Sequence, residues 1–221
     1  MFTDRGEAGA RLGEFLARLI PARGDEVVVL AIPRGGVIVA DPVARALQAP
    51  MDVIMPRKLG APDNPELAIG AVALADGEEI TVLDEESLAW LRVDAAYVAA
   101  EAERQRREIQ RREELYRQGR PALPVAGRTA VLVDDGVATG LTARAALAAV
   151  SRRRPREVVL AVPVAPPETV REFERLGLRL IALETPSPFG AVGRFYDDFR
   201  PIEDDEVLAV LGAARRPPAA S

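Results

Sequence analysis

The chain has no cysteine and no histidine, and only one lysine, Lys58, and one asparagine, Asn64. Without cysteine there can be no disulfide, no thiol nucleophile and no cysteine-held zinc or iron–sulfur centre. Without histidine there is no Ser-His-Asp triad, no imidazole acid–base step and no histidine-bound zinc. Long apolar runs are missing too. The longest unbroken aliphatic stretch, VVVLAI at 27–32, falls far short of the roughly 20 residues that span a bilayer. The opening MFTDRGEAGARLGEFL has no apolar h-region of a secretory signal. These absences predict a cytoplasmic protein with no membrane partner. Chemistry is left to carboxylates, hydroxyls, guanidinium groups, Lys58 and backbone amides, with a hard ion such as Mg²⁺ compatible with that set.

What is present is 221 residues with 34 acids against 29 bases, a net charge of −5. That length fits one large domain at roughly 100–200 residues per domain, or one domain carrying an insertion. The acidity argues against a nucleic-acid partner. Lys58 is the sole lysine among the 29 bases. The arginine bias and the 18 prolines suit a thermophile, and an arginine-favouring genome explains the bias equally well.

Apolar runs at 27–32, 52–55, 69–74, 130–134, 158–164 and 178–183 read as strands, and their continuous rather than alternating hydrophobicity predicts burial on both faces, as in a parallel sheet. Helical patterns occupy 4–20, 36–47, 141–153, 167–176 and 204–211. The alternation predicts an α/β fold, an open, mostly parallel sheet flanked by helices. In such sheets ligands sit beyond the carboxyl ends of the strands. One charged helical stretch, 84–118, interrupts the alternation; its thin stripe (Leu88, Leu91, Ala95, Val98, Ala102, Ile109) and Glu/Arg pairs predict a solvated helix over the sheet or between subunits. The expected organisation is a single domain over 1–214, with a helical insertion at 84–120 and a small hood at about 185–202. Residues 215–221 are expected to be a disordered tail.

The sharpest motif is VLVDDGVATGLT at 131–142. A buried strand ends in Asp134 and Asp135, then runs through Gly136, Val137, Ala138, Thr139, Gly140, Leu141 and Thr142 into a helix. A glycine-rich turn at a helix N-terminus gathers free N–H groups and the positive dipole end on one point, which suits a phosphate. Two acids would repel a bare polyphosphate but can accept hydrogen bonds from sugar hydroxyls or help hold a metal, so the loop suits a ribose 5-phosphate. It is not a P-loop, because Leu141 stands where the lysine belongs. It lacks the G-x-G-x-x-G of a dinucleotide site, and its acids are adjacent rather than in the Asp-x-Asp order of an aspartyl-phosphate phosphatase.

VLVDDGVATGLTARAAL resembles the phosphoribosyl-pyrophosphate (PRPP) signature of the type I phosphoribosyltransferases. AIPRGGVIVA and PRKLGAPDNPELAIGAV extend the likeness to a bacterial branch of that family. The resemblance implies a parallel sheet with a variable hood over an acceptor base. It also implies transfer of the 5-phosphoribosyl group of PRPP to a nitrogenous base with loss of pyrophosphate, and Mg²⁺ carried with PRPP, Asp134 or Asp135 being its candidate protein ligand. Asp134 and Asp135 would hold the ribose, Asp135 lying nearer the ligand and Asp134 partly anchoring the loop; 136–142 would hold the 5-phosphate. Arg34, Gly35 and Gly36, after the first strand, would form the pyrophosphate loop, with a cis peptide at Pro33–Arg34 or Arg34–Gly35. Arg34, Arg57 and Lys58 would carry catalysis by neutralising the leaving group; 56–65 itself reads as a Pro- and Gly-punctuated loop.

Members acting on 6-oxopurines place an acid where this chain has Ala138, so that acceptor class fits less well. Phe189, Val192 and Phe195 are candidates for the base pocket, with core packing as the competing reading. The family likeness also implies a homo-oligomer. A non-catalytic regulator of the same fold that binds PRPP or a nucleotide is the alternative function.

Overall fold

The computed structural model describes residues 1–214; the tail expected at 215–221 lies outside the described residues. Five strands, β1 (Val27–Ala31), β2 (Met51–Val53), β6 (Thr129–Val133), β7 (Glu157–Val164) and β8 (Leu180–Glu184), form a parallel sheet in the order β2-β1-β6-β7-β8. Both faces are covered, and the two-residue period shows which side chain goes where. On one face Val27, Val29 and Ala31 of β1 and Val131 and Val133 of β6 join the core beneath α1 (Arg5–Leu19) and α2 (Gly35–Leu47). On the other, Val28, Leu30, Ala130 and Leu132 pack with Ala145, Ala146 and Ala149 of α5 (Leu141–Arg152). This is the α/β architecture expected.

Helix α1 begins where Asp4 accepts a hydrogen bond from the Glu7 amide at 2.8 Å, a side-chain N-cap. It buries Ala8, Leu12 and Leu16 at four-residue spacing. Gly9 and Gly13 let its backbone approach α2, since a Cβ on Gly9 would meet the Val39 carbonyl oxygen at 2.5 Å.

The run at 69–74 is a strand, but it does not belong to the parallel sheet. It lies in β4 (Asn64–Ala75), the middle of a separate antiparallel sheet with β3 (Arg57–Ala61) and β5 (Glu78–Leu83). Its continuous hydrophobicity has a different cause: Val72 and Leu74 join the core that includes Ile109 and Tyr116, while Ala71, Ala73 and Ala75 pack with the alanines of α5. The 56–65 stretch, expected as a loop, holds β3 and the turn to β4.

The 84–118 stretch is two helices rather than one. α3 (Glu85–Leu91) stops at Arg92 in the left-handed conformation, and α4 (Ala95–Arg117) restarts at the N-cap Asp94. α4 lies on the three-stranded sheet with Ala102, Ile109 and Tyr116 buried. Its end is pinned to β2, where Arg117 pairs with buried Asp52 at 3.3 Å and donates to the Val53 carbonyl oxygen at 3.0 Å. α6 (Pro167–Arg175) follows β7, and α7 (Asp204–Ala214) closes the described chain. Among the described residues no helix is long and apolar enough to cross a membrane.

Candidate functional site

Three helices, α2, α5 and α6, follow strands of the parallel sheet, and none has a side-chain hydrogen bond at its N-cap. By contrast α1, α3 and α4 each use an aspartate there. The first turns of α2 and α5 thus carry no side-chain cap, and their N-terminal dipole ends, which favour an anion, lie at the strand ends.

Two loops meet in the crevice there. One runs from β1 through Arg34, Gly35 and Gly36, and its Pro33–Arg34 peptide is cis. The other runs from β6 through Asp134 and Asp135 to Gly140, the left-handed N-cap of α5 (φ 80°). They touch closely: a Cβ on Gly36 would meet the Val133 carbonyl oxygen at 2.7 Å and the Asp134 Cα at 2.9 Å. Only glycine fits between these backbones. The second loop is tied down on its far side, where the Val137 amide donates to Val164 O at 3.0 Å and the Thr169 hydroxyl donates to Ala138 O at 2.6 Å. Ala138 and Thr139 remain exposed at its tip.

The two acids have separate partners. Asp134 Oδ1 accepts the Asp135 amide at 2.8 Å, so it braces its own loop. Asp135 Oδ2 accepts from Arg5 Nε at 2.7 Å in an ion pair largely shielded from solvent. Burial, and then the neighbouring charge of Asp135, push the Asp134 carboxyl well above the ordinary carboxylate range. Burial raises Asp135 too, against the opposing pull of Arg5.

Residues of the 189–199 segment pack against this pair. Tyr196 donates its hydroxyl to the Asp135 main-chain oxygen at 2.6 Å, and Val192 fills the space beside Gly136, 2.5 Å from where a Cβ would stand. Phe189 and Phe195 stack with centroids 5.0 Å apart. Phe189 is buried with Phe2 and Tyr196, whereas Phe195 and Val192 are half-buried at the margin of that cluster.

The three cations expected around a leaving group have different partners. Arg34 faces Glu203 at 3.6 Å and Asp204 at 4.0 Å. Arg57, half-buried on β3, donates to Gln105 of α4 at 3.0 Å. Lys58 pairs with Glu66 at 2.7 Å. The structure brings Gly36 against Asp134, and nothing in the sequence pointed to Arg5. A lone arginine in the first turn of a surface-patterned helix carries no signal that it reaches a loop so distant in the chain.

The profile of the phosphoribosyl transferase domain family matches residues 2–198. Two Mycobacterium tuberculosis proteins, from strains CDC 1551 and H37Rv, are provisionally named phosphoribosyl transferases; each is 46% identical over 216 residues, covering 98% of this chain. The chain spans 47% of the length of each of these relatives. The crystal structure of TT1426 from Thermus thermophilus is 47% identical, covers 95% of this chain and 97% of its own, and superposes with a TM-score of 0.78.

Proposed function

Since the chain belongs to the phosphoribosyl transferase domain family, we propose that it transfers the 5-phosphoribosyl group of PRPP to a nitrogenous base and releases pyrophosphate. The observation that carries this reading is the placement of Asp134 and Asp135 between two helix N-termini that no side chain caps. The amides of Gly136–Thr142, apart from that of Val137, which Val164 holds, bind the 5-phosphate with the Thr139 and Thr142 hydroxyls, the acids accept from ribose hydroxyls, and the Gly35–Gly36 amides with Arg34 receive the pyrophosphate. The transition state is oxocarbenium-like, so the protein's work is alignment and neutralisation of charge. Arg34 must then exchange Glu203 and Asp204 for the leaving group. Arg57 and Lys58 contribute only if β3 turns them from Gln105 and Glu66.

Mg²⁺ fits this site as an ion borne by the substrate. Among the described residues no three carboxylates gather into a metal cage, and Asp135 is committed to Arg5. The protein's share of such an ion is one or two carboxylates, Asp134 and Asp135 being the candidates, with pyrophosphate oxygens supplying the rest. Such an ion, held with Asp134 or Asp135, would supply positive charge against the leaving pyrophosphate.

The acceptor lies between Ala138 and the 189–195 segment, where Val192 stands beside Gly136 and Phe195 is half-buried. The exposed alanine at position 138 leaves no carboxylate to address a 6-oxo ring. The working protein is cytoplasmic and a homo-oligomer, read out as more than one chain per particle by sedimentation at micromolar concentration. Incubation with PRPP, Mg²⁺ and a panel of purine and pyrimidine bases, assayed for pyrophosphate, tests the proposal. The separate partners of Arg34, Arg57 and Lys58 favour a second reading, a PRPP-binding regulator. PRPP binding without pyrophosphate release from any base decides for it.

A further inference from the structure

Arg5 is 7% exposed on a helix whose other buried positions, Ala8, Gly9, Leu12, Gly13 and Leu16, are apolar or small. Helix packing gives no reason for a guanidinium there. Its Nε, its Nη1 and one face of its plane are engaged nonetheless. Nε donates to Asp135 Oδ2 at 2.7 Å, Nη1 donates to the Arg200 carbonyl oxygen at 2.9 Å, and the plane lies 3.8 Å from the centroid of the Phe199 ring. The chain before it is fixed as well. The Phe2 amide donates to Phe195 O at 2.8 Å, and Asp197 and Asp198 donate back to Phe2 and Thr3 at 2.8 and 2.9 Å. Tyr196, in the same segment, holds the main chain of Asp135. Asp135 is therefore gripped by side chain and by backbone, both times from outside its own loop.

Stability alone is a poor account of such a pair. The desolvation of two buried charges roughly cancels their attraction, and apolar residues of similar volume commonly serve as well or better. The arrangement makes sense where a charge must be kept and aimed. Arg5 engages Oδ2, and a carboxylate offers about four lone-pair positions, so the pair does not exhaust its capacity to accept from a ligand. Charge-assisted bonds of this kind are the strong ones for hydroxyl recognition.

We infer that Arg5 is a positioning residue for ribose recognition, acting through Asp135 and touching no substrate itself, with Phe199 and the Arg200 carbonyl holding it in place. The inference rests on the reading of the crevice as a PRPP site.

The test is calorimetry on the full chain with two probes, PRPP with Mg²⁺ and inorganic phosphate, comparing wild type, Arg5→Gln, Arg5→Lys, Asp135→Asn, Phe199→Leu and the double variant R5Q/D135N. R5Q is expected to weaken PRPP binding about tenfold or more and to leave phosphate binding at 136–142 unchanged. R5K should recover part of the loss. In the D135N background R5Q should add almost nothing, because the route runs through Asp135. F199L, which loosens Arg5 without stranding a charge, should weaken PRPP binding several-fold and keeps the test open should R5Q not fold. PRPP affinity unchanged in R5Q or F199L would overturn the inference. So would an equal loss of PRPP and phosphate binding, or an R5Q effect undiminished in D135N. A wild-type chain that binds phosphate and not PRPP overturns the PRPP reading of the site instead.

Discussion

Gly35 stands so close to Asp135 that a Cβ on the glycine would lie 1.9 Å from the carboxylate Oδ2, and 2.7 Å from Arg5 Nε. The start of α2 is thereby moulded onto an ion pair whose halves come from the first helix and from the loop after β6.

Gly35→Ala and Gly36→Ala are therefore expected to fail differently. A methyl at 35 displaces side chains, parting Asp135 from Arg5, so PRPP affinity should fall about tenfold or more with a stability loss of about 1 kcal/mol. A methyl at 36 meets backbone at Val133 and Asp134, which cannot yield, so the stability loss should be larger, about 2–3 kcal/mol. Urea unfolding alongside PRPP calorimetry separates the two; equal stability losses would contradict the assignment.

Asp134→Asn and Asp135→Asn should diverge in stability. An amide oxygen at 134 can still accept the Asp135 amide, and it removes a carboxylate whose ionised form burial disfavours. The folded-state pKa of Asp134 is raised, so wild type binds the proton more tightly than its unfolded chain. The associated stability is complete below the ordinary carboxylate range and declines as pH rises toward the folded value. D134N escapes that decline, so its stability relative to wild type should grow from acid to neutral pH. D135N strands Arg5 and should cost about 1–3 kcal/mol at neutral pH. Both should bind PRPP more weakly. Denaturant midpoints measured across the acid range check the signs.

Tyr116 donates to Asp204 Oδ1 at 2.5 Å, joining α4 to α7, and burial with that carboxylate pushes its hydroxyl up to about 12 from an ordinary 10.0. Its contribution to stability is full below pH 10 and is lost as pH climbs through about 12. Tyr116→Phe should cost about 1 kcal/mol at neutral pH and flatten the alkaline decline. A variant with the alkaline profile of wild type would place the titration elsewhere.

Arg117→Ala leaves Asp52 buried without its guanidinium partner and frees the Val53 carbonyl oxygen. Asp52 keeps the Val53 and Leu123 amides, so a loss of about 1–3 kcal/mol is expected. Arg117→Met/Asp52→Leu, which removes both charges but also the acceptor of the Leu123 amide, should recover only part of it. Urea unfolding of the single and double variants measures the difference.

The sequence showed most where a segment's environment repeats along it. The runs that became β1, β6 and β7 are apolar at every position because helices cover both faces, and the Asp-Asp-Gly turn announces itself by composition. It misled where one pattern has two causes. Residues 69–74 are doubly buried without being parallel. Pro56, Gly60 and Pro65 mark a bulged hairpin rather than a loop: β3 shifts register around Gly60, where a Cβ would meet the Pro65 carbonyl oxygen at 2.7 Å. Arg5 was invisible because its partners, Asp135, Phe199 and the Arg200 carbonyl, are brought to it only by tertiary packing.

The pairing of Phe2 with Tyr196 also sets a timetable. The floor of the crevice needs the chain as far as Thr169 of α6, and its roof needs residues 195–200 to return to residues 2–5. Contacts so distant along the chain form late, after the nearer ones have closed their loops. The Tyr196 grip on Asp135, and the Phe199 and Arg200 contacts that hold Arg5, thus come after the loop that follows β6 has been made.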